Sequence, residues 1–197
     1  MEKIIFRRGK AFTFTELLSA IVIIGILSAI MIPKIMTGID KARVAATVTD
    51  TRNIRNAAYA MYADTGLWPG SNWNDDPTDI LENANGGEGF TYKGDDSQMP
   101  DTWAGPYLET WHRNPWGGWY WWDYNRLPEF PTPGQEHVLW VDNAWKNTNH
   151  RIPPTMRLKI DQTLDDGNIS YGMMQVQQID GNNPTGNLGY VLVSGNP

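Results

Sequence analysis

The sequence predicts an α+β fold: one long N-terminal helix, apolar in its first half and amphipathic in its second, packed on a small antiparallel β-sheet. Three observations predict it. Residues 12–32 (FTFTELLSAIVIIGILSAIMI) contain a single ionisable side chain, Glu16. Residues 39–65 contain neither Pro nor Gly and space their apolar side chains at helical intervals. The remainder is cut by Pro, Gly, Asn and Asp into short runs rich in Trp, Tyr, Val and Ile, the composition of strands and turns.

The apolar run comes first. At about 1.5 Å per residue, a helix over residues 12–32 spans about 31 Å, close to the roughly 30 Å hydrocarbon core of a bilayer. A basic head precedes it, MEKIIFRRGKA, with Lys3, Arg7, Arg8 and Lys10. Basic residues beside an apolar span mark the cytoplasmic side. A single pass through a membrane, with the C-terminal domain on the face away from the cytoplasm, is therefore expected. Glu16 is the exception in the run. A carboxylate at the centre of a span costs about 2.5–3.5 kcal/mol, less near an end, and marks function by default. Its plainer role is to favour the positive end of the helix dipole.

The run Ala11-Phe12-Thr13-Phe14-Thr15-Glu16-Leu17-Leu18, followed by Gly25 and Pro33, closely resembles the N-terminal signature of type IV pilins and type II secretion pseudopilins. The resemblance implies a leader of residues 1–11, cleavage by a prepilin peptidase between Ala11 and Phe12, and N-methylation of Phe12. The apolar segment 12–33 is then retained, unlike a secretory signal, whose shorter apolar region is removed with the cut. The resemblance further implies a helical homopolymer in which Glu16, Gly25 and Pro33 serve assembly. Its partners would be an assembly ATPase and a platform protein, and the filament would lie in the periplasm or at the cell surface. Glu16 then has a physical partner in the freed amine of Phe12 of a neighbouring subunit. In an apolar filament core the two charges neutralise each other, where either alone would be stranded. The family usually has Gly before the cut; Ala11 departs from it but is also small.

Past Pro33, residues Ile39, Val44, Val48, Ile54, Ala58 and Met61 recur mainly at three- and four-residue steps, with Lys41, Arg43, Asp50, Arg52 and Arg55 between them. This predicts one helix over about residues 14–62, kinked at Pro33, with 34–65 as its amphipathic half. Its length would be about 73 Å at 1.5 Å per residue, more than a domain of this size buries, so its first half needs lipid or copies of itself. Gly66 ends the helix and Trp68-Pro69-Gly70 turns the chain.

The globular domain is then residues 66–197, a loop region (66–115) followed by a sheet region (116–197). Residues 71–101 read as a long loop with one helical turn at 77–83. Tyr62-Ala63-Asp64-Thr65-Gly66-Leu67-Trp68-Pro69, Gly105-Pro106-Tyr107-Leu108 and Asn114-Pro115-Trp116-Gly117 with Tyr120 resemble the helix exit, "YL" step and "PWG" turn of the major pseudopilins. Asp is the more usual residue at Asn114; both cap a turn through the side chain. Strands are predicted at 116–124, 137–141, 155–160, 169–176 and 188–193.

Composition narrows the function. The net charge is −6 and the leader is basic, so the exported part is more acidic than the whole and has no electrostatic case for gripping nucleic acid. The chain has no cysteine, which excludes disulfides, thiolate metal sites and Cys nucleophiles. Within the resemblance that favours a secretion pseudopilin over an adhesive pilin. His112, His137 and His150 lie far apart without zinc spacing, and no GxSxG, P-loop or Rossmann glycine pattern is present. A non-enzymatic protein with no catalytic residue, metal or cofactor is expected. One alternative stays open. Asp161, Asp165-Asp166-Gly167-Asn168 and Asp180-Gly181-Asn182-Asn183 either cap turns or, as the resemblance to the major pseudopilins implies, supply oxygens to Ca2+ at Asp165, Asp166 or Asp180.

Ten tryptophans are many for 197 residues. Strand alternation puts Trp119 and Trp121 on one face and Tyr120 and Trp122 on the other. One face is expected in the core and the other at a subunit interface; Trp119, Trp121 and Trp122 are the interface or surface candidates. The rival reading makes the domain an anchored, Trp-rich module that binds a glycan or a secreted protein and does not polymerise.

Overall fold

A computed structural model describes residues 12–66, 68–69, 101–125, 136–143, 152–176 and 188–194. The leader 1–11, the turn at 77–83, His150 and Asp180 lie outside the described residues. In chain order the elements are α1 (Phe14–Thr65), β1 (Trp119–Asn125), β2 (Glu136–Asn143), α2 (Pro154–Leu164), β3 (Met174–Val176) and β4 (Leu188–Ser194). The chain divides into two compact units, Met1–Lys41 and Ala42–Pro197.

The described part of the first unit is helix from Phe14 onward, and α1 continues through Pro33 without a break. Pro33 has no N–H to give the carbonyl of Ala29. The hydroxyl of Ser19 donates to the Thr15 carbonyl at 2.8 Å and that of Thr37 to Lys34 at 2.8 Å. These two hydroxyls are thus satisfied by their own helix, as a helix in lipid requires.

In the second unit, β1, β2, β4 and β3 form, in that order, an antiparallel four-stranded sheet. One face packs on α1: Val48, Ile54, Ala57 and Ala58 meet Tyr120, Trp122, Leu139, Val141, Leu188, Tyr190 and Leu192. The helix also buries Thr47 and Thr51 in this contact. Their hydroxyls donate to the carbonyls of Arg43 and Thr47, at 2.9 and 2.8 Å, so neither brings an unmet polar group into the core. Ile39, placed on this stripe by its spacing, is exposed. Asp50 accepts from the Tyr120 hydroxyl at 2.8 Å and Arg55 reaches the Tyr190 hydroxyl at 3.2 Å, pinning helix to sheet at two strands. Gly66, at φ 70°, closes α1 with its N–H on the Tyr62 carbonyl at 2.8 Å, the left-handed cap that glycine makes without strain.

Two strand expectations change. Residues 155–160 are helical, as the middle of α2. Pro154 sits at the first helical position, where its fixed φ suits a helix and its missing N–H is no loss. The buried residues Arg157, Ile160 and Asp161 follow a helical face, while Leu158 is 39% exposed. Of residues 169–176, only Met174–Val176 pair as a strand. The part before it turns, with the Tyr171 N–H on the Asn168 carbonyl at 2.9 Å and Gly172 at φ 95°.

Candidate functional site: the apolar N-terminal segment

A long exposed apolar surface runs along the described helix of the first unit. Phe12 is 80% exposed, Phe14 78%, and Leu17, Ile21, Ile24, Leu27, Met31, Ile35 and Ile39 are all exposed. The helix is long and apolar enough to cross a membrane, and none of its apolar window is buried. An isolated monomer in water would leave this surface wet at a cost of roughly 25 cal/mol per Å2, so it requires lipid or protein around it.

At the start of the segment, Thr13 and Glu16 form a capping box. The Thr13 backbone N–H and hydroxyl both donate to Glu16 Oε2 at 2.8 Å, and the Glu16 N–H donates to Thr13 Oγ1 at 3.3 Å. The sequence carries this signal in the spacing Thr13-Phe14-Thr15-Glu16, which identifies Thr13 as a residue of the site. Both bonds fall on one carboxylate oxygen. Glu16 Oε1 has no hydrogen bond among the described residues. Gly25 and Pro33 lie further along the same helix, and a Cβ at Gly25 would meet nothing within 4 Å. Ala11 is outside the described residues, and Phe12 precedes the first turn.

The aromatic run of β1 alternates as expected. Tyr120 and Trp122 are core residues on the α1 face, and the Trp122 indole donates to the Pro69 carbonyl at 2.7 Å. Trp122, an interface or surface candidate from the sequence along with Trp119 and Trp121, is instead buried in this core, at 5% exposure. Trp121, on the opposite face, packs against Val138, Trp140 and Val191. Those three are buried, so this face does not offer a solvent-facing aromatic platform at their positions. The Arg113 guanidinium lies 4.5 Å from the Trp119 ring centre, a cation–π contact.

The two described histidines, His112 and His137, are separate. His112 pairs with Asp50 at 3.3 Å, and His137 lies against the rings of Trp68 and Trp122. Burial lowers the His137 pKa to about 4. Of the acidic candidates, Asp165 and Asp166 come together with Asp161 at the end of α2. Burial, then the nearby Asp165 and Asp166 charges, raise the Asp161 pKa to about 6.

Residues 38–126 match the family model described as PilW, C-terminal. The match runs from the second half of α1 through the Pro-Trp-Gly turn to the end of β1, somewhat under half of the chain. It supports a pilus-related family and a role connected with type IV pilus biogenesis, in which contact with the pilus assembly machinery is expected. Comparison with curated proteins and with solved structures gave no match.

Proposed function

We propose that this chain is a filament subunit of the type IV pilus or type II secretion pseudopilus kind, with a structural rather than an enzymatic role. A prepilin peptidase cuts between Ala11 and Phe12, the new Phe12 amine is methylated, and the subunits leave the inner membrane by packing their apolar helices together. The domain on the periplasmic side forms the coat. One observation carries the reading: the exposed apolar helix begins with a carboxylate that caps its own first turn through one oxygen and leaves the other without a hydrogen bond among the described residues. A membrane anchor alone has no use for that second oxygen. A neighbouring Phe12 amine does, because a charge pair satisfied on both sides tolerates an apolar surrounding that a single charge does not. The pilus-related match over residues 38–126 points the same way.

The test is intact mass and N-terminal sequencing of the chain from membrane and sheared-surface fractions of cells that carry the assembly machinery. A chain beginning at Phe12 and recovered as filaments supports the proposal. A chain retaining Met1 and confined to membranes sinks it and leaves an anchored monomer.

A further inference from the structure

We propose that Asn168, in the turn after α2, is the acceptor of an N-linked glycan, transferred to its side-chain amide by an oligosaccharyltransferase on the far side of the membrane. Asn168-Ile169-Ser170 is the one place in the chain where Ser or Thr stands two residues after an asparagine with no proline between. Asn183-Pro184-Thr185 has the spacing, but its proline blocks it. The tripeptide arises by chance in many chains, so exposure and conformation decide its use. Asn168 and Ser170 are exposed, while Ile169 between them is half-buried against the core. Tyr171, the next residue, is 64% exposed, so the turn leaves room for a bulky polar group.

The local fold orients the acceptor. Gly167, at φ 84°, reverses the chain immediately before Asn168, and a Cβ there would meet Gln162 Cγ at 2.8 Å. Asp166 Oδ1 accepts the Asn168 N–H at 2.7 Å, and Asn168 Oδ1 accepts the Ser170 N–H at 3.2 Å, so two Asx turns follow one another. The Ile169 carbonyl accepts the Val176 N–H at 2.9 Å, tying the turn to β3. The atom that faces the Ser170 N–H must be the amide oxygen of Asn168, because a backbone N–H only donates. The amide nitrogen therefore points away from that contact. Like the Ser170 hydroxyl, it has no hydrogen bond among the described residues.

An amide nitrogen is a weak nucleophile, since its lone pair is delocalised into the carbonyl, so the transfer needs an activated donor. That donor is an oligosaccharide carried on a polyprenyl pyrophosphate. The Asn168 nitrogen bonds to C1 of the first sugar, and the bond from C1 to the pyrophosphate oxygen breaks, its electron pair leaving with the lipid pyrophosphate. One amide proton passes to a carboxylate of the transferase, and nothing is oxidised or reduced. The Ser170 hydroxyl, a donor and an acceptor, serves recognition and stays unmodified. The exposed Asp166 carboxylate, two residues before the acceptor, gives an arginine of the transferase a second fixed point. The site lies outside the residues that the pilus-related family model matches. It rests on the export of the C-terminal domain that the filament reading also requires, but not on polymerisation.

The test expresses the full chain in cells that hold an oligosaccharyltransferase and its lipid-linked oligosaccharide, beside a control protein of established acceptor activity. Protease treatment of spheroplasts reads export, and intact mass with peptide mapping reads modification. The unaltered chain is expected to gain the mass of the glycan on the peptide that contains Asn168. Asn168→Gln and Ser170→Ala should lose the gain completely, whereas Ser170→Thr should retain it. These positions are exposed, where substitutions rarely change stability, so a lost gain reports on the acceptor rather than on folding. An exported chain that stays unmodified while the control is glycosylated overturns the proposal, as does a gain that persists in Asn168→Gln. A domain that the protease does not reach overturns the proposal together with the topology of the filament reading, so the two failures are told apart.

Discussion

The side-chain amide of Asn114 donates to the backbone carbonyl of Val141 at 2.8 Å, joining the turn before β1 to the middle of β2. Val141 has no register partner in β1 or in β4, because the pairing shifts on both sides of it. Asn114 therefore gives this carbonyl a side-chain donor at the irregularity. The same side chain turns its oxygen inward, accepting from the N–H groups of Trp116 and Gly118 at 3.0 Å each. A carboxylate could keep those two bonds but could not donate to Val141. Asn114→Asp is therefore expected to destabilise the domain by about 1–3 kcal/mol, from the loss of that donor and a buried charge set beside the carbonyl. Urea unfolding of the full chain in detergent measures it. Equal midpoints for the two proteins would refute the account.

His137 gives the domain an acid-sensitive core. Its ring lies 5.2 Å from Trp68 and 6.0 Å from Trp122, and burial lowers its pKa from the ordinary 6.5 to about 4. Between those values the unfolded chain binds the proton and the folded one does not. The contribution is present above pH 6.5 and is lost as pH falls towards 4. The loss amounts to at most about 3 kcal/mol, taking 1.36 kcal/mol per pKa unit. Unfolding midpoints of the unaltered chain and of His137→Phe, measured from pH 7 to 4, isolate the imidazole. The first should fall with acid more steeply than the second; parallel curves would exclude His137 as the cause.

The long helix was legible because an apolar run and a helical stripe are both local patterns. The end at Gly66 and the alternation of Trp119 to Trp122 were legible for the same reason. Residues 155–160 were not. Thr155-Met156-Arg157-Leu158-Lys159-Ile160 alternates polar and apolar like a strand, yet in the helix it adopts Arg157 points inward and Leu158 outward. What makes the inward Arg157 tolerable is Asp142, supplied by another element, and no local pattern announces a partner so placed. Asp161 is similar: three carboxylates can be read from the sequence, but not that one of them is buried with neither oxygen bonded. At the N-terminus the position of Glu16 was readable, and so was the Thr13 spacing. That only one oxygen is used in the cap required coordinates.

The Arg157–Asp142 pair yields its own prediction. Arg157 Nη2 lies 2.6 Å from Asp142 Oδ2, the same oxygen accepts the Ile152 N–H at 3.1 Å, and Arg157 Nε donates to the Ile152 carbonyl at 2.9 Å. Both side chains are buried. Arg157→Met leaves a buried carboxylate without its counter-charge and is expected to cost about 3–5 kcal/mol. Adding Asp142→Leu should restore part of that loss, because the stranded charge goes with it. A double-mutant cycle on unfolding midpoints reads the coupling. Strictly additive losses would mean that the two charges do not act as a pair.

Glu16 separates capping from assembly. Glutamine at this position can still accept from the Thr13 N–H, since capping boxes use Glu or Gln, but it cannot neutralise an amine. Alanine removes both functions. If the carboxylate acts only as a cap, Glu16→Gln should form filaments nearly as well as the unaltered chain, and Glu16→Ala alone should fail. If it neutralises a neighbouring Phe12 amine, as the proposed function requires, both variants should lose filaments in the sheared fraction while their membrane levels and their cleavage at Ala11 stay near normal. The loss with Gln is the decisive arm. The amine left without a counter-charge in an apolar core is strongly destabilising, by about 3–5 kcal/mol for a buried pair with one partner removed. That is roughly a factor of several hundred or more in the equilibrium for adding a subunit, at 1.4 kcal/mol per tenfold change. Immunoblots of sheared and membrane fractions, with intact mass to confirm processing, give the answer, and filament formation by Glu16→Gln at normal levels would remove the charge-pair mechanism.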